Sequence, residues 1–298
     1  MYRVTNNTQY RNSLRDIQST AEDFARAQQQ VSSGRRLQQP SDDPAAAATG
    51  LRERAEIRAV DRYREANDSV DSRLRVTDTV LSDIISSITS AQTKAAAGRS
   101  TVLTAEQREA VALELEGAKQ GIFAAINTSY RGIYLFAGAD NTSPPYLKTG
   151  STVSAYQGDA NVVQVDISRT ASAAVTVAGG AVMQGSASSD LFETLDALAA
   201  AVRSGDMAAI DAGMADLEAG FTRVTTAQSG VGATLSALPS EKARLDEMRR
   251  SSDSRRSQAE EINLAEAISE MTRAQQAQQA AIAVAGSNQK ASLLDYLR

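Results

Sequence analysis

The chain has no cysteine, no histidine and no tryptophan, and aromatic residues make up only 4% of it. Without cysteine there is no disulfide, no thiol nucleophile and no thiolate metal site. Without histidine the commonest general base and the commonest metal ligand are missing. Long apolar runs are missing too: none approaches the roughly 18–20 residues that span a bilayer, so no membrane span is expected. The stretch Met1–Asn7 lacks the apolar core of a cleavable signal peptide. Basic excess is absent as well, since the net charge is −5 and the isoelectric point is near 5.1. Nucleic acid is therefore an unfavourable main partner.

What is present is alanine, serine, glutamine and charge, spread over 298 residues. Such chains bury little area per residue and tend to form long helices that pack on neighbours. The most informative stretch is Ser33–Ala47, which separates two amphipathic patterns. Gly34, Pro40 and Pro44 break the chain, and Ser41, Asp42 or Asp43 can offer a side-chain oxygen to the free N–H groups of a new helix. Pro44 suits the first helical position, and the two carboxylates suit the positive end of the helix dipole. A paired-carboxylate metal or acid/base site is the sharper alternative. With no His or Cys to support it, the helix start is the favoured reading, and no catalytic residue, metal or cofactor is identified.

Before the break, Tyr10, Leu14, Ile17, Ala21, Phe24, Gln28 and Val31 follow alternating four- and three-residue steps, a seam that asks for a helical partner. After it, the same steps run through Val60, Tyr63, Asn67, Val70, Leu74, Thr77, Leu81, Ile84, Ile88, Ala91 and Ala95. Gly98 stops this helix, and Thr104–Gln107 has capping-box spacing. The next helix presents Val111, Leu115, Ala118, Ile122 and Ile126, and is expected to fold back antiparallel. From Asn127 to about Gly185 the period shortens, with strand-like pieces at 152–156, 162–167 and 174–177. Asp190 is placed to cap a short helix that Ser204-Gly205-Asp206 ends. Helical spacing returns from Met207, with Pro239 expected to kink or end that helix. The closing pattern is Leu264, Ile268, Met271, Gln275, Gln278, Ile282, Ala285 and Gln289. The two end seams can cover each other only if the termini meet.

At this point the residues resemble a known family. Ser13–Gln18, Val31–Leu37 with Gly34 and Arg35, and Pro40-Ser41-Asp42-Asp43-Pro44 are similar to the N-terminal signature of flagellins and flagellar hook-associated proteins. Three features resemble the hook-associated branch at the hook–filament junction: the Pro-Ser-Asp-Asp-Pro break, Tyr134-Leu135-Phe136-Ala137-Gly138, and Tyr156-Gln157-Gly158-Asp159. Asn263–Ile268 and Ser292–Leu297 fit the same family.

The resemblance implies a mainly α, flagellin-like elongated rod, in which long antiparallel helices carry a small β-rich insert and the N- and C-terminal helices pair as a coiled coil. It divides the chain into a terminal helical domain (1–43 and 256–298), a helical rod domain (44–138 and 186–255) and a small β-rich outer domain (139–185). The assembly helices would act through Tyr10, Leu14, Ile17, Ala21, Phe24, Val31, Leu264, Ile268, Met271, Ile282, Leu293, Leu294 and Leu297. The implied role is a non-catalytic adaptor in the bacterial flagellum, outside the cell, exported by the flagellar type III apparatus. Its partners would be further copies of itself in a ring, a hook-associated protein on the hook side, flagellin on the distal side, and an export chaperone at the C-terminal region. The alternatives are a flagellin-type filament subunit and, in a different class, a chemoreceptor-like signalling coiled-coil module.

Overall fold

A computed structural model describes residues 6–150, 152–184 and 190–296 of the chain. Seven helices and three antiparallel two-stranded ribbons appear among them: α1 (Asn6–Ser33), α2 (Pro44–Gly98), α3 (Ala105–Ile126), β1 (Ser129–Tyr130), β2 (Ile133–Tyr134), β3 (Lys148–Thr149), β4 (Thr152–Val153), β5 (Gln164–Asp166), β6 (Ser172–Ala174), α4 (Gly179–Met183), α5 (Leu191–Ser204), α6 (Met207–Glu260) and α7 (Leu264–Tyr296). The chain divides into two compact units, one holding residues 1–59 and 248–298 and the other residues 60–247. No helix among the described residues is long and apolar enough to cross a membrane.

The unit of residues 60–247 is built on the α2 stripe. Val60, Asn67, Val70, Leu74, Thr77, Leu81, Ile84, Ile88, Ala91 and Ala95 are all buried, as their spacing requires. Helix α6 runs antiparallel beside α2, and polar pairs trace the register along the two helices: Asp68 with Lys242 at 2.6 Å, Asp78 with Gln228 at 3.1 Å, and Arg99 with Asp211 at 2.9 Å. Helix α3 opens with the capping box, in which the Gln107 N–H donates to Thr104 Oγ1 at 3.2 Å and the Thr104 N–H donates to Gln107 Oε1 at 2.8 Å. It folds back on α2, with Lys94 meeting Glu114 at 2.7 Å. Its buried stripe is Ala112, Leu115, Lys119, Ile122 and Ile126, one position away from the expected Val111 and Ala118 at two places. Lys119 tolerates burial because Asp196 of α5 stands 2.5 Å from its ammonium.

Helix α5 has the expected limits. The Asp190 carboxylate accepts the Phe192 N–H at 2.9 Å, and Gly205 closes the helix in the left-handed region at φ 73°. The β-rich stretch is made of ribbons two or three residues long, shorter than the spacing suggested. Backbone pairing there is discontinuous, and side chains tie the pieces together.

The helix does not end at Pro239: α6 continues through it from Met207 to Glu260. Proline removes one N–H and crowds the preceding turn, but this one lies on the exposed side of α6. Buried Leu238 and Leu245 anchor the helix at and beyond it, so packing outweighs the local penalty, and water can satisfy the released carbonyl. Pro239→Ala is accordingly expected to stabilise the fold by about 2 kcal/mol, seen as a higher urea midpoint without a change in slope.

In the unit of residues 1–59 and 248–298, α1 contains neither glycine nor proline and ends at Gly34, whose φ is 67°. The Gly34 N–H donates to the Gln30 carbonyl at 2.9 Å, closing the last turn. Arg35 and Glu261 then form an antiparallel bridge, which sets α1 and α7 antiparallel. Asn263 opens α7, its side-chain oxygen accepting the Ala265 N–H at 3.2 Å.

Candidate assembly surface

Three groups of sequence-selected residues can now be placed. The first surrounds the break between α1 and α2. Asp43 is the N-cap, its Oδ1 accepting the Ala46 N–H at 3.0 Å, with Pro44 as the first helical residue. The Asp42 carboxylate turns back and accepts the Gln38 and Gln39 N–H groups at 3.0 and 2.9 Å, which holds the turn through Pro40 and Ser41. The two acids therefore organise backbone. Backbone donors hold the Asp42 carboxyl below its ordinary range, and the Ala46 N–H followed by the Arg36 guanidinium does the same for Asp43.

The same region clamps the end of α6. The Arg36 N–H donates to the Glu260 carbonyl at 2.9 Å, and the Ile262 N–H donates to the Gly34 carbonyl at 3.2 Å. The Arg36 guanidinium reaches the Ala259 carbonyl at 3.0 Å and Asp43 at 3.2 Å. The Glu260 side chain is only 8% exposed and pairs with Arg54 at 2.5 Å, with Arg256 at 3.8 Å. It lies over Gly50, where a Cβ atom would come within 2.0 Å of its carboxylate oxygen. Next to it, Arg255 grips Glu53 with two hydrogen bonds of 3.0 Å, and this pairing holds the Glu53 carboxyl below its usual range. Gly50, Arg54 and Glu260 were not singled out from the sequence. The available signal was a glycine inside a strong helical pattern, which costs about 1 kcal/mol against alanine and so points to close packing.

The second group is the terminal pair itself. The half-buried positions of α1 include Ser13, Ile17, Thr20, Phe24, Ala27 and Val31, and those of α7 include Met271, Ala274, Gln278, Ala281 and Ala285, with Ala267 fully buried. This seam only partly follows the expected one. Ile17, Ala21, Phe24, Val31 and Met271 lie on or beside it. Tyr10, Leu14, Leu264, Ile268 and Ile282 are instead between 42% and 55% exposed. On α7 the physical reason is size: Ala267, Ala274, Ala281 and Ala285 take the contact line and let the backbones approach, and the larger Leu264, Ile268 and Ile282 fall on its flank. In the register set by Arg35 and Glu261, Leu14 is level with Ile282 and Gln28 with Ile268. The flanking residues of α1 and α7 thus share one side of the pair, as the e positions of an antiparallel coiled coil do. Leu293, Leu294 and Leu297 lie outside the residues whose side chains are described.

The third group closes the β-rich stretch. Leu135, Phe136 and Ala137 are fully buried. The Tyr156 hydroxyl donates to the carbonyls of Phe136 and Asp159 at 2.9 and 3.0 Å. The Asp159 N–H donates to the Ala137 carbonyl and the Gly179 N–H to the Phe136 carbonyl, at 2.9 and 2.8 Å. Gly138 and Gly158 allow this closeness: a Cβ on the first would lie 1.9 Å from the Asp159 carbonyl oxygen, and on the second 2.6 Å from the Ala137 carbonyl oxygen. Asp159 turns its carboxylate to the Asn161 N–H at 3.1 Å. Tyr134 is half-buried beside this knot. The Tyr-Leu-Phe-Ala-Gly and Tyr-Gln-Gly-Asp segments, distant in sequence, are therefore one structural feature.

None of the three groups has the look of a reaction centre, and what they leave open is apolar surface on long helices. The bacterial flagellin N-terminal helical region matches residues 4–141, and the bacterial flagellin C-terminal helical region matches residues 214–297. Flagellar hook-associated protein 3 of Escherichia coli strain K12 is 26% identical over 171 residues, which are 56% of this chain and 53% of the relative. The chain thus spans about half the length of that curated relative. FlgL of Xanthomonas campestris has a similar fold, with TM-score 0.61 at 16% identity over 67% of this chain and 98% of that one. The flagellar junction protein FlgL of Legionella pneumophila aligns with TM-score 0.60 at 13% identity, over 72% of this chain and 100% of that one. With both end regions matched over most of its length, this chain belongs to the bacterial flagellin family.

Proposed function

We propose that this chain is a structural subunit of the bacterial flagellum that joins the hook to the flagellin filament by helix packing, without catalysis. One observation carries the reading: the paired helices α1 and α7 leave Leu14, Ile268 and Ile282 open on one side of the pair. A protein that worked as a monomer would have little use for that stripe, whereas an assembling subunit needs it. The junction role follows from the names of its relatives, hook-associated protein 3 and flagellar junction protein.

On this reading further copies form a ring, a hook-associated protein lies on the hook side and flagellin on the distal side. Export through the flagellar type III apparatus, with a chaperone at the C-terminal region, places the subunit outside the cell. The residues for assembly are the flanking set Tyr10, Leu14, Leu264, Ile268 and Ile282, with the seam residues behind them. The three-part division at residues 43/44, 138/139, 185/186 and 255/256 is retained as part of the same reading.

Deleting the gene tests the role. Hooks without filaments, with flagellin released into the medium, are the expected result. Normal filaments in the deletion strain would remove the junction reading. A purified chain that grows long filaments alone would make it a flagellin-type subunit instead.

A further inference from the structure

The unit of residues 1–59 and 248–298 has almost no apolar core. Among its described residues, Ala267 is the only apolar side chain that is buried. The unit of residues 60–247, by contrast, buries Leu74, Leu81, Ile84, Leu115 and Ile122 among others. The ties between the linker of residues 34–43 and the end of α6 are polar. Two backbone hydrogen bonds cross there, from the Arg36 N–H to the Glu260 carbonyl and from the Ile262 N–H to the Gly34 carbonyl. Side-chain charge does the rest. The Glu260 carboxylate faces Arg54 from α2 and Arg256 from its own helix, and Arg35 of the linker lines the same groove. Arg36 joins Asp43 to the Ala259 carbonyl. Arg255 holds Glu53, with Glu56 also acting on its charge, and Arg256 meets Glu261 at 3.3 Å. Asp43, Glu53, Glu260 and Glu261 thus meet Arg36, Arg54, Arg255 and Arg256 in one cluster.

The two halves of this cluster respond differently to acid. A guanidinium stays charged at every working pH, whereas a carboxylate can take up a proton. Neutralising Glu260 would leave Arg54 and Arg256 close together without their shared counter-charge. We propose that the cluster is an acid-released latch: loss of carboxylate charge frees the linker of residues 34–43 from the end of α6 while the unit of residues 60–247 stays folded. Helices α1 and α7, which the linker and the Glu261–Asn263 turn carry, are released with it. The direction of the effect follows from the carboxyls. Arg255 holds Glu53 below its ordinary range, and the Ala46 N–H followed by Arg36 does so for Asp43. A carboxyl lowered on folding contributes stability that is present above its unfolded value and lost as pH falls through the folded one. Release therefore belongs below about pH 4. The inference concerns a single chain and does not depend on the junction role.

Hydrogen exchange of the full chain, read by mass spectrometry from about pH 7 to about pH 3 and corrected for intrinsic rates, tests it. Peptides from residues 34–43 and 255–263 are expected to lose protection about tenfold below about pH 4, before peptides from residues 81–95 lose any. Glu260→Gln keeps the shape and removes the charge, so it should speed exchange in the same latch peptides about tenfold at neutral pH. Unchanged exchange in residues 81–95 shows that this variant is folded. The absence of native cysteine allows a lock. Arg35→Cys with Glu261→Cys places two thiols at the antiparallel bridge, within disulfide reach. The oxidised form should keep its protection in acid, and reduction should restore release. If Glu260→Gln does not fold, the oxidised and reduced forms decide alone. Protection lost together in both units, a Glu260→Gln latch as protected as the parent's, or release in acid despite the disulfide would each overturn the inference.

Discussion

Replacing Gly138 with alanine is expected to destabilise the β-rich region by about 3 kcal/mol or more. Two causes add. At φ 74° the backbone is left-handed, where a side chain is strained. The new Cβ would also lie 1.9 Å from the Asp159 carbonyl oxygen, a backbone atom held in place by the Tyr156 hydroxyl. Relief would require the Tyr156–Asp159 segment to move off Phe136 and Ala137, exposing two fully buried side chains. Gly34 is the matched control. Its φ is 67°, but a Cβ there meets nothing within 4 Å. Gly34→Ala should therefore cost only the backbone term, about 1 kcal/mol. Urea unfolding of the two variants, followed by tyrosine fluorescence and far-ultraviolet dichroism, checks the contrast. Equal losses would mean that the packing of Gly138 against Asp159 contributes little.

The second large effect separates the inner and outer faces of the terminal pair. Ile17→Asp places a carboxylate on the half-buried line against α7, so it should unpair the two helices in the monomer as well as block assembly. Leu14→Asp, at a position already 42% exposed, should leave the monomer's helicity and protease resistance unchanged yet still abolish filament support. Dichroism and limited proteolysis of the monomers, with complementation of the deletion strain, give both readouts. If Leu14→Asp supports normal filaments, the exposed flank is not the assembly face. If Ile17→Asp leaves the pair intact, the seam has been misplaced.

Legibility in the sequence followed the size of the side chains that make each contact. In α2 the large residues and the buried face coincide, so Leu74, Leu81, Ile84 and Ile88 announced the stripe that the fold buries. The Thr104 capping box and the Asp190 and Gly205 limits of α5 were legible because each depends on local chemistry alone. In the terminal pair the correspondence failed. The contact line of α7 runs through Ala267, Ala274 and Ala281, while Leu264, Ile268 and Ile282 sit beside it, so the hydrophobic maximum points away from the partner. Pro239 misled in the opposite sense, since a strong local penalty was outweighed by packing on either side of it. The clamp of Glu260 over Gly50 was legible only as a glycine inside a helical pattern, because it joins residues that only the closed fold brings together.

That clamp also bears on timing. The hydrogen bond from Arg36 to Ala259 links positions 223 residues apart, so the loop it closes contains most of the chain. Helix α1 leaves the ribosome well before α7. Because α1 has no fully buried residue among those described, even when paired, it is expected to stay solvated and weakly helical until α7 emerges. Helices α1 and α7 are the parts that any machinery handling the nascent or unfolded chain meets unpaired, while the unit of residues 60–247 closes through contacts within itself.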